Sequence, residues 1–145
     1  MDYRAVFNVS AAGMDVEKLR LDTAALNLAN IDTSAAPGST AFKPLRVVSQ
    51  ALVPSFQHLM GLEDLARAGS LPHATVVESD VAPRVVHDPA DPHADANGDV
   101  HYPAINHAGE MLTVMNALRA YEANVAALGA AKSMVSHALE IGGQS

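Results

Sequence analysis

The chain has no cysteine and no tryptophan, and aromatic residues make up only 4 % of its 145 positions. Without cysteine there can be no disulfide, no thiolate zinc site and no thiol nucleophile. That absence also suits a protein that crosses an oxidising compartment or an export channel. Basic residues are scarce too: nine Lys and Arg stand against sixteen Asp and Glu, a formal charge of −7. No basic run offsets this, so no nucleic-acid partner is predicted. No window approaches eighteen consecutive apolar residues, and membrane insertion is not predicted. The opening "MDYRAVFNVSAAGMDVEKLRLD" carries Asp, Arg, Glu and Lys at short intervals. It leaves no apolar stretch for a cleaved secretory signal.

Catalytic motifs are missing as well. There is no G-x-S-x-G, no phosphate-binding G-x-x-x-x-G-K-[ST] and no G-x-G-x-x-G. The expectation is a protein that is not an enzyme, with no cofactor and no small-molecule substrate. What the chain does have is a 49 % apolar content, enough for one modest core and too much for wholesale disorder. Alanine and valine supply much of it, so that core is built from small residues.

Helical periodicity dominates both ends. Val9, Ala12, Val16, Leu19, Thr23, Leu26 and Asn30 alternate spacings of three and four, a heptad seam, with Asp15, Lys18 and Asp22 on a polar stripe. A second seam, Leu21, Ala24, Leu28 and Ile31, runs beside it. The helix is expected to stop near "NIDTSAAPGST", where turn formers cluster. At the far end, Met111, Val114, Leu118, Tyr121, Val125, Leu128, Lys132, Val135 and Leu139 form another seam. A parallel row of small residues lies next to it: Ala117, Ala120, Asn124, Ala127, Ala131, Met134 and Ala138. Two adjoining seams make an apolar face wider than one partner helix can cover.

Between the ends the pattern changes. "FKPLRVVSQALV" and "HATVVESDVAPRVVHDP" are valine-rich and broken by proline, which predicts short strands. "SFQHLMGLEDLARAGS" repeats Phe56, Leu59, Leu62 and Leu65 at threefold spacing and predicts a short helix. "DPADPHADANGDVHYP" strings turn formers together and is expected to be irregular. The predicted fold is mainly α with a small β-rich insert. Long N- and C-terminal helices form an antiparallel coiled-coil-like hairpin, with short strands between. The expected division is residues 1–36 and 109–145 as the helical core, and 37–108 as the insert and connector.

Size then bears on assembly. A helix over 110–141 would be roughly 48 Å long and the first one roughly 40 Å. A compact globule of this length is only about 38 Å across. The hairpin would therefore leave apolar faces that only further copies could cover. Thr23, Asn30 and Lys132 at seam positions fit a role in setting register, or, for Lys132, a stem laid along the seam with its charge in water.

The alternative chemistry is a small metal-binding module or metal-dependent enzyme in the loop 87–107. His87, His93, His101 and His107 stand there among Asp88, Asp91, Asp95 and Asp99. Their spacing is irregular, and aligning Asn97-Gly98 with a calcium loop puts Ala104 where its glutamate should be. No metal site is predicted. A coiled-coil adaptor with one cytosolic partner is a further possibility.

Three stretches carry a resemblance. "LDTAALNLANIDT" at 21–33 is similar to the "asNLANadT" motif of the bacterial flagellar axial proteins. "HDPADPHADANGDVHYP" at 87–103 is similar to the "yDPgHPdAdadGYVxxP" signature of the proximal-rod members of that family. The ending follows the family's "EM…RaYeaNv…KsM…aLeig" through Glu110, Met111, Arg119, Tyr121, Glu122, Asn124, Lys132 and Met134. Asp91 and Asp99 depart from the signature's His and Tyr. The resemblance implies a structural subunit of the proximal rod, the drive shaft of the basal body, transmitting torque from motor to hook. It implies export by the flagellar type III apparatus without a cleaved signal, and assembly in the periplasm with copies of itself and other rod subunits. Seams and resemblance together predict subunit-interface residues Val9, Val16, Leu19, Leu26, Asn27 and Asn30 in the first segment. In the last segment they predict Met111, Val114, Leu118, Tyr121, Glu122, Asn124, Val125, Leu128, Lys132, Met134, Val135 and Leu139.

Overall fold

A computed structural model of the chain describes residues 3–36, 38–50 and 72–143. The short helix expected within 55–70 lies outside the described residues. The elements are α1 (Tyr3–Ala29), β1 (Leu45–Gln50), β2 (His73–Glu78), β3 (Arg84–His87), β4 (Asp99–Tyr102) and α2 (His107–Gly143). The ends are helical and the middle carries strands, as the periodicities predict.

Local chemistry sets the helix limits. Helix α1 runs 27 residues without proline and closes on Asn30. The Asn30 side chain donates to the Leu26 carbonyl at 2.8 Å, and its backbone N–H donates to the carbonyls of Leu26 and Asn27. Asn30, at a seam position in the sequence, thus also satisfies carbonyls that a helix end leaves unpaired. Helix α2 starts at an Asn106 cap: the Gly109 N–H donates to Asn106 Oδ1 at 3.0 Å. Glu110 in the first turn complements the positive helix end. At 37 residues α2 is roughly 55 Å long.

The strands form two small ribbons. Strand β1 pairs with β2, and the Ser79 N–H donates to the Pro44 carbonyl at 2.7 Å just beyond them. Strands β3 and β4 pair antiparallel, Arg84 opposite Tyr102 and His87 opposite Asp99. Ala35, just after α1, bridges to His101 on β4. Strand β4 corrects the expectation that this stretch is irregular. Asp99–Tyr102 alternates polar and apolar too briefly to stand out, and only closure against Val86 buries Val100 completely.

Internal contacts divide the chain into two units. One gathers Met1–Leu19, Ser49–Thr75 and Ala117–Ser145; the other gathers Arg20–Val48 and Val76–Asn116. In the first, Gly13 of α1 faces Asn124 of α2, so closely that a Cβ on Gly13 would lie 3.0 Å from the Asn124 amide. Ser10, Val16, Glu17, Ala117 and Ala131 are buried there. In the second, Thr23, Ala24, Asn27, Val100 and Pro103 are buried. Small and polar side chains make up most of both lists.

Candidate subunit interface

The inward face of α1 is wider than the heptad seam and takes in the row beside it. Ser10, Gly13, Glu17, Arg20, Ala24 and Asn27, one residue further along, are buried or half-buried. Of the seam itself, Val16 and Thr23 are buried, Leu19 and Asn30 half-buried, and Val9 and Leu26 about 52 % exposed. Hydrophobic periodicity marked Val16 and, through the second seam, Ala24, but could not mark Ser10, Gly13 or Glu17.

Helix α2 shows the same division of labour. Part of its small-residue row faces inward: Ala117 and Ala131 are buried and Ala120 and Asn124 half-buried, together with Val114, Leu128 and Val135 of the other seam, while Ala127 and Ala138 are exposed. Several larger seam residues stay outside. Met111, Leu118, Tyr121 and Val125 are exposed, Leu118 by 45 %, and Leu139 reaches 71 %. Met134 is exposed, and so are Glu122 and Lys132. At 100° per residue, Met111, Met115, Leu118 and Val125 fall on one side of the helix, with Tyr121 at its edge. Met115 and Leu112, exposed alongside them, are absent from the sequence-based set. The i, i+4 spacing from Met111 to Met115 was the signal for the former.

Asn27 does something else. It is 1 % exposed, and its amide pairs with one backbone residue from both sides. Leu45 N–H donates to Asn27 Oδ1 at 2.8 Å, and Asn27 Nδ2 donates to the Leu45 carbonyl at 2.9 Å. Nδ2 also donates to Glu110 Oε1 at 3.2 Å. This network fixes the amide orientation, because an N–H must meet the oxygen and a carbonyl the nitrogen.

In the acidic loop between β3 and β4 the ligand-type side chains bond to the loop itself. Asp88 accepts the Ala90 N–H, and Asp91 accepts the His93 N–H at 2.7 Å. Asp95 accepts the N–H groups of Asn97 and Asp99. Those two bonds, that from Asp99 first, hold its carboxyl below the usual carboxylate range. Partial burial, then the Asp91 carboxylate, pushes the Tyr102 hydroxyl up. His87 Nδ1 lies 2.9 Å from Asp99 Oδ1 across the ribbon, and His93 Nδ1 lies 2.6 Å from Ser34 Oγ. Among the described residues no three His, Asp or Glu side chains gather closely enough to share a metal ion. Among those residues, too, no helix is long and apolar enough to cross a membrane.

No family model matches the chain. Curated relatives align along nearly all of it. The flagellar basal-body rod protein FlgC of Bacillus subtilis is 34 % identical over 142 residues, 93 % of this chain and 95 % of that protein. FlgC of Salmonella typhimurium is 33 % identical over 137 residues, covering 94 % and 96 %. FlgC of Aquifex aeolicus is 32 % identical over 142 residues, covering 97 % of each.

Proposed function

The chain belongs to the FlgC family of flagellar basal-body rod proteins, and from that premise we propose a structural subunit of the proximal rod. Its terminal helices form an antiparallel hairpin whose uncovered apolar faces pack against copies of the chain and other rod subunits. Two pairings support the hairpin, one inside each unit: Gly13 with Asn124, and Asn27 with Glu110. Moving from 13 to 27 along α1 corresponds to moving back from 124 to 110 along α2, as antiparallel helices require.

The observation that carries the reading is the outward stripe on α2 of Met111, Met115, Leu118 and Val125. Within one chain the most deeply buried side chains of the two helices are mostly small or polar, and Met111, Met115, Leu118 and Val125 stay exposed. Such a face is a liability for an isolated molecule and an asset for an assembling one. Small residues on the inward face allow close helix approach, which raises contact density and stiffness, as a torque-bearing shaft requires. The subunit reaches the periplasm through the flagellar type III export apparatus.

Leu118→Asp and Val125→Asp test this. Both side chains are exposed in the single chain, so each change should alter its stability by no more than about 0.5 kcal/mol. Each should nonetheless abolish rod assembly and swimming while export of the subunit continues. Normal swimming by both variants overturns the reading.

A further inference from the structure

We propose that Asn27 is a positioning residue that joins three segments at one point: the end of α1, the start of β1 and the first turn of α2. The proposal concerns how a rod subunit presents its helices, and so rests on the rod reading. Three observations carry it. The Asn27 side chain is buried. Its amide occupies both hydrogen-bonding groups of Leu45, at 2.8 and 2.9 Å, as a neighbouring peptide group would in a sheet. Its remaining N–H reaches the Glu110 carboxylate, a charged acceptor at 3.2 Å.

Neither residue closest to it in shape does all three, and glutamine, which has the same amide, carries it one methylene further from the backbone. Aspartate keeps the oxygen but loses both donors and sets a second carboxylate against Glu110, while leucine leaves the Leu45 N–H and carbonyl without partners in a buried site. Leu45 lies 18 residues and Glu110 83 residues along the chain from Asn27. One amide therefore makes the seating of β1 and the joining of the two helix ends a single event. The helices enter assembly already set relative to each other at this end of α1.

Amide exchange at Leu45 in the purified full chain tests the assignment. Asn27→Asp should speed it about tenfold, the scale of a lost charge-assisted hydrogen bond. Adding Glu110→Gln, which removes the repulsion and supplies an N–H toward the introduced carboxylate, should recover a large part of the protection. Failure of the double variant to recover any overturns the assignment, as does unchanged exchange in Asn27→Asp. Should Asn27→Asp not fold, Glu110→Ala should speed Leu45 exchange about threefold and Glu110→Gln should not. Equal behaviour of those two also overturns it. The rod reading fails separately, through normal swimming of Leu118→Asp and Val125→Asp, and Leu45 exchange does not depend on that outcome.

Discussion

The β3–β4 ribbon and helix α2 are completed in opposite ways. In the ribbon, four aspartates, two histidines and a tyrosine all bond within a few residues or across the ribbon and its flank, and Val100 is fully buried. Helix α2 has its backbone hydrogen bonds but leaves its largest apolar side chains in water. The ribbon's chemistry is finished inside one chain, whereas the outer stripe of the helix stays exposed in it. Perturbing the ribbon should therefore lower the stability of the monomer, and perturbing the outer stripe should spare the monomer and abolish assembly.

After the total loss of swimming expected from Leu118→Asp, the next largest effect belongs to the ribbon. Gly98 has φ +79°, and a Cβ there would stand 3.0 Å from both His87 Cε1 and Pro89 Cγ. Gly98→Ala should cost about 2 kcal/mol from left-handed strain and crowding, read as a lower thermal midpoint of the isolated chain. An unchanged midpoint would remove the contrast, because the ribbon would no longer be self-determined.

The inward helix face gives a smaller effect whose sign depends on Asn124. Its side chain donates to the Ala120 carbonyl at 3.0 Å, so giving way to a Cβ on Gly13 costs that bond. Gly13→Ala alone should be neutral or destabilising, despite the roughly 1 kcal/mol that alanine contributes in a helix. Combined with Asn124→Ala it should exceed the wild type. Denaturant unfolding of the two single variants and the double measures the coupling.

The smallest effect is a pH dependence confined to the ribbon. Because the Asp95 carboxyl is depressed in the folded chain, its contribution is complete above the ordinary aspartate value of about 3.9. It is lost as pH falls through the lower folded value. Protection of the Asn97 and Asp99 amides should be flat from about pH 5 upward and fall only below about pH 4. Asp95→Asn, which keeps an acceptor oxygen without the charge, should flatten that fall.

Much of this was legible in the residues. Seam spacing located α1 and α2, valine-rich runs bounded by proline located β1, β2 and β3, and the same spacing marked Leu118 and Val125 as apolar positions on α2. Two features escaped. Beside the seam's own Val16 and Thr23, the inward face of α1 takes in Ser10, Gly13, Glu17 and Asn27, side chains that carry no hydrophobic signal. Strand β4 was hidden among turn formers, since its strand character depends on a partner at Arg84–His87 across an eleven-residue loop.

The sequence by itself determined that both ends are helices with wide apolar faces, because periodicity is a local property of side-chain order. Only the tertiary structure decided which side of each helix turns inward. It also decided that Asn27 spends its amide on Leu45 and Glu110 and that the loop aspartates bond to their own loop. Those choices depend on residues distant in sequence arriving at the same point, and no local pattern encodes that meeting.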